Sequence, residues 1–330
     1  MKLFVAYSGP LIKIELRVSG ESMRHKLLLL TSKNERYREL LSSCHLPEII
    51  LLGDEPSNIL EANIWLAEPA LAAPLLPLAK NLTWMQSTMA GVDDLVKPRQ
   101  RKDYQLTNVR GVFGPLMSEY LFGYLLAHQR EHQKYKNQQA EKIWLPGNFK
   151  TLQGQNLLLL GTGNIAKHIA KTAKHFGMNV TGINRGAKPT QGFDKVDTLA
   201  NISHHLTQAD AVASILPSTP LTRGALNAEL LSLMKPGAIF FNLGRGDVLD
   251  LDALYMQLIE NSDQHAILDV FNQEPLPKEH PIWTLDNVII TPHIAAPSFP
   301  EQVVEIFANN YHKLLQGENL SHEVNFARGY

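Results

Sequence analysis

The stretch Asn156–Ala170 reads NLLLLGTGNIAKHIA and indicates the fold class of this chain. Its four leucines form a short apolar run, which is typical of a parallel strand buried on both faces. A G-x-G-x-x-A pattern follows, in which Gly161 permits a tight turn, Gly163 lets a pyrophosphate approach the backbone, and Ala166 allows close helix packing. N–H groups at the next helix N-terminus would bind the anion. The stretch predicts a dinucleotide-binding turn, although a glycine-rich turn that only packs has the same pattern.

Strand-like runs alternate with helix-length segments on both sides of this stretch, which indicates a parallel α/β architecture. Downstream, five further runs are predicted strands of a doubly wound, six-stranded sheet: Asn179–Ile183, Ala211–Leu216, Ala238–Leu243, Ala266–Val270 and Asn287–Thr291. Upstream, four runs are predicted strands of a second sheet: Lys26–Ser32, Glu48–Leu52, Asn63–Ala67 and Leu82–Ser87. A long helix over Pro115–Lys142 would connect the halves, and a helix over Pro300–Glu318, capped by Gly317, would return to the first.

Length and composition set the broad class. A chain of 330 residues exceeds the usual size of one hydrophobic core, so two domains are expected. The net charge of -1 supplies no broad field for nucleic acid or anionic lipid, so we expect small-molecule partners. Cys44 is the only cysteine, and no apolar run reaches the length of a membrane span. Charged residues interrupt the N-terminal apolar stretch too early for a secretory signal, and we expect a cytoplasmic protein.

The loop after the second strand of the predicted cofactor sheet carries no acid. About 20 residues beyond the glycines, an acid normally accepts hydrogen bonds from the ribose 2′-hydroxyl of NAD. This chain has Asn184 and Arg185 there, with Lys188 close by. Arginine can pair bidentately with a 2′-phosphate, and lysine can add a point charge. The loop therefore predicts NADP(H), with NAD(H) as the alternative if both cations are only solvated surface side chains.

Three polar residues follow apolar strands in the second half: Arg245, Glu274 and His293. In open α/β sheets, ligands gather at the carboxyl ends of the strands, so we expect all three on the cofactor's side. An arginine can bind a carboxylate, a histidine can exchange a proton near neutral pH, and a glutamate can orient that imidazole. Each residue alone has a structural explanation. Their shared location favours reduction of a 2-oxo acid.

Six motifs in order resemble those of the D-isomer-specific 2-hydroxyacid dehydrogenases: TMAGVDDL, GTGNIA, LPSTPLTRG, NLGRGDVLD, LDVFNQEPLP and TPHIAAPS. The likeness runs from about Lys26 to Tyr330. It implies that Arg245 binds the substrate carboxylate and carbonyl, that His293 is the acid or base, and that Glu274 is its partner. The formate-oxidising branch has glutamine in place of Glu274, so formate is disfavoured.

The resemblance also implies the surroundings of the reacting groups. Backbone N–H groups of Ala90, Gly91 and Val92 would hold the substrate carboxylate. The predicted substrate contacts are Met89, Ala90, Gly91, Val92 and Arg245. The predicted cofactor contacts are Gly161, Thr162, Gly163, Asn164, Ile165, Asn184, Arg185, Lys188, Leu216, Pro217, Leu243, Gly244, Arg245, Asp269 and His293, with Asp269 near the nicotinamide.

Two domains that close on a cleft are implied as well. The predicted fold is a flavodoxin-like substrate domain over residues 23–115, completed by 296–330, and a Rossmann doubly wound dinucleotide-binding domain over residues 116–295. Residues 1–22 are predicted to be an N-terminal extension without an assigned structure. A homodimer is implied only by the family.

The expected function is NADP(H)-dependent reduction of glyoxylate or hydroxypyruvate. The sequence around Arg185, the sequence around Glu274 and the final ARGY resemble those of the bacterial reductases for these acids. Two alternatives stay open: an NAD-dependent dehydrogenase for another D-2-hydroxy acid, such as 3-phosphoglycerate, and a non-enzymatic dinucleotide sensor like the corepressors of this fold. No metal site is predicted. His128 and His132 are spaced i, i+4, but no third ligand motif accompanies them.

Overall fold

Two parallel β-sheets organise the chain in the computed structural model, which describes residues 25–329. The predicted extension over residues 1–22 lies outside the described residues. The first sheet has the order β2-β1-β3-β4-β5, which is the flavodoxin-like order. Its strands are β1 His25–Leu30, β2 Ile49–Leu51, β3 Ile64–Ala67, β4 Trp84–Ser87 and β5 Gln105–Thr107.

The second sheet has the order β12-β11-β10-β9-β6-β7-β8 and is also fully parallel. Its strands are β6 Asn156–Leu160, β7 Asn179–Ile183, β8 Lys195–Asp197, β9 Ala211–Ser214, β10 Ile239–Asn242, β11 His265–Leu268 and β12 Val288–Ile290. The strand order reverses between β6 and β9, and a dinucleotide binds at such a switch point in doubly wound sheets. The predicted fold class is confirmed, with seven strands in this sheet where six were predicted.

Helices cover the sheets, and their bounds are α1 Asn34–Ser42, α2 Asn58–Glu61, α3 Pro69–Ala72, α4 Phe113–Gln129, α5 His132–Ala140, α6 Asn164–His175, α7 Ile202–Leu206, α8 Ala228–Leu231, α9 Leu251–Glu260 and α10 Pro300–Leu315. Alternate leucines of β6 enter opposite cores: Leu157 and Leu159 pack with α4 and α6, whereas Leu158 and Leu160 pack with α7, α8 and α9. Burial on both faces explains the continuous apolar run of this strand.

The last helix returns to the first sheet, as predicted. Phe307 on α10 stacks on Trp84 of β4 with ring centroids 5.0 Å apart, and both side chains are fully buried. Gly317 has φ +69°, a left-handed conformation that glycine adopts without steric cost, and it caps the helix as predicted. The helix itself ends at Leu315.

The prediction of one long helix over Pro115–Lys142 is wrong. The chain forms α4 and α5 instead, and Glu131 between them has φ +53°, a left-handed conformation that ends a helix. His128 and His132 therefore lie on different helices, and the His128 ring contacts His265 with centroids 4.3 Å apart. Within residues 25–329, no three His, Cys, Asp or Glu side chains come together as a metal site, and no helix is long and apolar enough to cross a membrane.

Candidate active site

The carboxyl ends of the second sheet's strands carry the predicted site residues. Gly161 directly follows β6, and Leu216 lies just beyond β9. Arg245, Glu274 and His293 come after β10, β11 and β12 respectively. Because all seven strands are parallel, these loops meet at one edge of the sheet.

The loop between β6 and α6 has the geometry of an anion-binding turn. Gly161 has φ +112°, and its N–H donates to the carbonyl of Ile183 at 2.9 Å. Gly163 caps α6 and is exposed, with open space where a side chain would stand. The first N–H groups of a helix have no acceptor within the helix, so those of Asn164 and Ile165 are available to a ligand. These residues fit a pyrophosphate.

Asn184 shapes the loop that would meet the adenosine ribose. Its Nδ2 donates to Thr162 Oγ1 at 3.1 Å and to the Lys188 carbonyl at 3.0 Å, while its Oδ1 accepts the N–H groups of Gly186 and Lys188. Arg185 and Lys188 are exposed, and neither forms an ion pair within the described part of the chain. Both cations are therefore free to contact an anion, and Asn184 fixes the backbone that carries them.

His293 and Glu274 form a hydrogen-bonded pair. His293 Nδ1 lies 2.9 Å from Glu274 Oε2, and the other carboxylate oxygen accepts the N–H of Phe271 at 2.9 Å. Both oxygens of Glu274 are thus engaged, which fixes the orientation of the imidazole. The His293 side chain is 55% exposed, and its Nε2 forms no hydrogen bond with residues 25–329. This nitrogen can exchange a proton with a bound molecule.

Asp269 anchors the segment that carries His293. Its carboxylate is buried and accepts hydrogen bonds from the Thr291 hydroxyl and from the N–H groups of Ile294 and Ala295. Its own carbonyl accepts the His293 N–H at 2.9 Å, and His293 has φ +55°. The family resemblance implied Asp269 only as a neighbour of the nicotinamide. Its anchoring role could have been suspected because an aspartate stands at the end of a buried strand.

Arg245 contacts the segment predicted to bind substrate. Its Nε donates to Asp93 Oδ2 at 3.0 Å, and its Nη1 donates to the Gly244 carbonyl at 2.8 Å. A Cβ atom added to Gly91 would collide with Nη2 of Arg245. The predicted arginine and the predicted carboxylate-binding backbone are therefore brought together. The ion pair with Asp93 was not predicted from the sequence.

Two glycines beside Arg245 let three loops approach closely. A Cβ atom on Gly244 would collide with the backbone of Leu216, and one on Gly246 would collide with the backbone of Phe271. Leu216 and Leu243, two of the predicted cofactor contacts, are buried and pack into the hydrophobic cores of the second domain. The G-R-G sequence therefore places Arg245 in a loop that packs closely against the loops that carry Leu216 and Phe271.

A cleft of about 560 Å³ connects Arg245 with the His293–Glu274 pair, but neither the dinucleotide turn nor residues 89–92 are among the described residues that line it. Asp93 and Lys97 line it from the first sheet, and Arg245, Glu274 and His293 line it from the second. Met89 and Ala90 are exposed, whereas Val92 is buried. A smaller cavity of about 280 Å³ lies beside the opposite strand ends, where parallel sheets rarely bind ligands.

Comparisons with known proteins identify related sequences and structures. Residues 122–295 match the sequence model of the D-isomer specific 2-hydroxyacid dehydrogenase, NAD binding domain. The glyoxylate/hydroxypyruvate reductase A of Serratia proteamaculans (strain 568) is 32% identical over 250 residues, which cover 73% of this chain and 79% of the relative.

Two solved structures have the same fold over most of the chain. A D-isomer specific 2-hydroxyacid dehydrogenase family protein of Aeromonas salmonicida subsp. salmonicida A449 has a TM-score of 0.87 and 46% identity, covering 92% of this chain and 99% of that one. The NADPH-dependent glyoxylate/hydroxypyruvate reductase of Sinorhizobium meliloti, in complex with NADP and sulfate, has a TM-score of 0.81 and 25% identity, covering 93% and 100%. The chain belongs to the D-isomer specific 2-hydroxyacid dehydrogenase family and is an NAD(P)-dependent oxidoreductase.

Proposed function

We propose that this protein reduces a small 2-oxo acid, glyoxylate or hydroxypyruvate, to the D-2-hydroxy acid with NADP(H). One observation carries the proposal: Arg245 and the His293–Glu274 pair line the same cleft at the strand ends that carry the dinucleotide turn. The relatives from Serratia and Sinorhizobium, described as glyoxylate/hydroxypyruvate reductases, support the choice of substrates.

Each group in the cleft has a separate task in this proposal. When bound, the nicotinamide supplies the hydride that reaches the carbonyl carbon of the substrate. Arg245, with the N–H groups of Ala90, Gly91 and Val92, holds the substrate carboxylate, and the guanidinium offsets negative charge as it forms on the carbonyl oxygen. His293 donates the proton from Nε2 to that oxygen. Its tautomer and orientation are held by Glu274 through Nδ1.

Initial rates test the proposal. Purified protein is assayed with hydroxypyruvate and glyoxylate, each with NADPH and NADH, and the product's chirality is determined. We expect reduction to the D-2-hydroxy acid and a preference for NADPH. No turnover with any 2-oxo acid, combined with cofactor-dependent binding of a partner, would contradict the enzyme assignment of the site and favour the dinucleotide-sensor alternative.

The choice of NADP(H) rests on the loop that Asn184 supports. Arg185 and Lys188 are exposed cations in a loop that has no carboxylate to repel a 2′-phosphate. A bidentate contact from Arg185 and a point charge from Lys188 would favour NADPH over NADH.

Replacing both cations tests this choice. We expect R185Q/K188Q to lower kcat/KM for NADPH by about 10 to 100-fold, since charge-assisted bonds to a phosphate are lost, while the value for NADH changes little. Steady-state kinetics with both cofactors measure the effect. K171Q is the matched control, because Lys171 is an exposed lysine of α6 outside the loop. An equal loss for NADPH and NADH would remove the assignment.

The two domains predicted from the sequence have separate roles in the proposal. Residues 23–115 with 296–330 form the substrate domain, residues 116–295 form the cofactor domain, and the protein works in the cytoplasm.

We also propose a homodimer. An apolar segment beyond α5, here called the apolar arm, is exposed over residues 143–149, where Trp144 is 97% and Leu145 60% exposed. Contiguous exposed apolar surface marks interaction sites.

Disrupting the apolar arm tests the homodimer. We expect W144S/L145S to convert the dimer to a monomer, because the substitutions remove the two most exposed apolar side chains of the arm. Light scattering coupled to size-exclusion chromatography measures the mass. L78S, at an exposed leucine of the first domain, is the control and should leave the mass unchanged. A wild-type monomer, or a double variant that stays dimeric, would contradict this use of the arm.

A further inference from the structure

The ion pair between Arg245 and Asp93 links the two sheets inside the cleft. Arg245 Nε donates to Asp93 Oδ2 at 3.0 Å, and the guanidinium lies directly against Gly91. The Asp93 side chain is 50% exposed, so its carboxylate also faces the open cleft. An anion held by Arg245 and by the N–H of Gly91 would therefore lie beside the carboxylate of Asp93.

The remaining cations of the cleft already have carboxylate partners. Lys97 Nζ lies 2.7 Å from Asp94 Oδ1, and Arg223 Nε lies 3.1 Å from Asp247 Oδ2. The histidine–glutamate pair is the fourth pair in the same cleft. Among the described residues that line the cleft, every cationic side chain thus contacts a carboxylate.

We propose that Asp93 selects substrates with a single negative charge and, among them, favours those with a hydroxyl group on C3, an inference that rests on the function proposed above. The substrate carboxylate shares the Arg245 guanidinium with Asp93. A further carboxylate or phosphate attached to C3 would add a like charge at short range, where repulsion is strong in a partly desolvated cleft. A hydroxyl group can instead donate a charge-assisted hydrogen bond to Asp93. Hydroxypyruvate fits this requirement, and phosphorylated or dicarboxylic 2-oxo acids do not.

The experiment compares D93N with the wild type on two substrates. The measured quantity is the ratio of kcat/KM for hydroxypyruvate, a monoanion, to that for oxaloacetate, a dianion, with NADPH. We expect the wild type to favour hydroxypyruvate, and D93N to shift the ratio toward oxaloacetate by about ten-fold or more, because the amide has the same shape without the charge. A merely structural role of Asp93 would lower both values alike and leave the ratio unchanged, which would overturn the proposal.

D94N is the matched control. Asp94 is the neighbouring residue, lines the same cleft and pairs with Lys97, so its substitution removes one negative charge but leaves the Asp93–Arg245 pair intact. We expect the D94N ratio to stay within about two-fold of the wild type, as for an exposed pair. An equal shift in D94N and D93N would show a general effect of charge and would overturn the role of Asp93.

Binding without turnover separates this inference from the proposed function. Calorimetry of the protein saturated with NADP⁺ measures the affinities for D-glycerate, a monoanion with a C3 hydroxyl, and for tartronate, a dianion. We expect D93N to raise the affinity for tartronate relative to D-glycerate, whereas D94N leaves the relative affinity as in the wild type. If the wild type reduces no 2-oxo acid, the proposed function fails, and the change in relative affinity still supports or overturns the role of Asp93.

Discussion

H293Q is expected to lower kcat for hydroxypyruvate by about 10² to 10⁴-fold, because glutamine can fill the position but cannot donate a proton near neutral pH. His293 is the group of the cleft that combines an exposed imidazole with a fixed orientation, through Glu274 at Nδ1 and Asp269 at the backbone. The dinucleotide turn lies on β6 and α6, so the affinity for NADPH should change little. Stopped-flow single-turnover kinetics and fluorescence titration with NADPH measure the two quantities.

A surface histidine supplies the control for this substitution. His204 on α7 is exposed and lies outside the cleft, and H204Q should keep wild-type turnover. Turnover of H293Q close to the wild-type value would exclude His293 as the proton donor. A parallel loss of turnover and of NADPH affinity would indicate a misplaced strand end rather than a lost proton donor. The circular dichroism spectrum of H293Q checks that the fold is kept.

The strand ends explain why the site could be expected from the sequence. Arg245, Glu274 and His293 are separated along the chain, yet each follows an apolar run, and parallel strands place their carboxyl ends at one edge. The strands themselves could be predicted because strands buried on both faces are continuously apolar. This logic predicts which residues share the cleft, but it does not predict which of them touch.

Contacts between distant segments could not be predicted from the sequence. Asp93 and Arg245 are 152 positions apart, and their ion pair depends on how the first sheet's loops meet the second sheet. Asp269 likewise receives its partners from the segment after β12. Hydrophobic periodicity and local propensity depend on residues that are close in the sequence, so they do not predict contacts between distant segments. A motif supplies the residue types, whereas packing decides their partners.

Short or interrupted elements were missed for a local reason. Strands β5 and β8 have three residues each, and QLT and KVD have no continuous apolar run. Their pairing with β4 and β7 makes them strands. The break after α4 also lacks glycine and proline, since Glu131 adopts the left-handed conformation without either. In each case tertiary structure outweighs the local preference of the residues.

R245K is expected to lower kcat/KM for hydroxypyruvate by about 10² to 10³-fold, even though the positive charge is kept. Arg245 uses Nε for Asp93 and Nη1 for the Gly244 carbonyl, which leaves further N–H groups for a carboxylate or a developing oxyanion. Lysine has one ammonium group on a flexible stem and cannot make these contacts together. Because the guanidinium is proposed to act both on the bound acid and on the charge that forms, KM should rise and kcat should fall.

Arg223 supplies the matched control for this substitution. It lines the same cleft as Arg245 and forms an ion pair with Asp247. R223K preserves a charge in the same electrostatic surroundings, and its kcat/KM should stay within about three-fold of the wild type, as for an exposed ion pair. Equal losses in R223K and R245K would mean that the cleft acts through its summed charge. A loss confined to R245K would mean that the forked geometry of one arginine, set between Gly244 and Gly246, positions the substrate for hydride transfer.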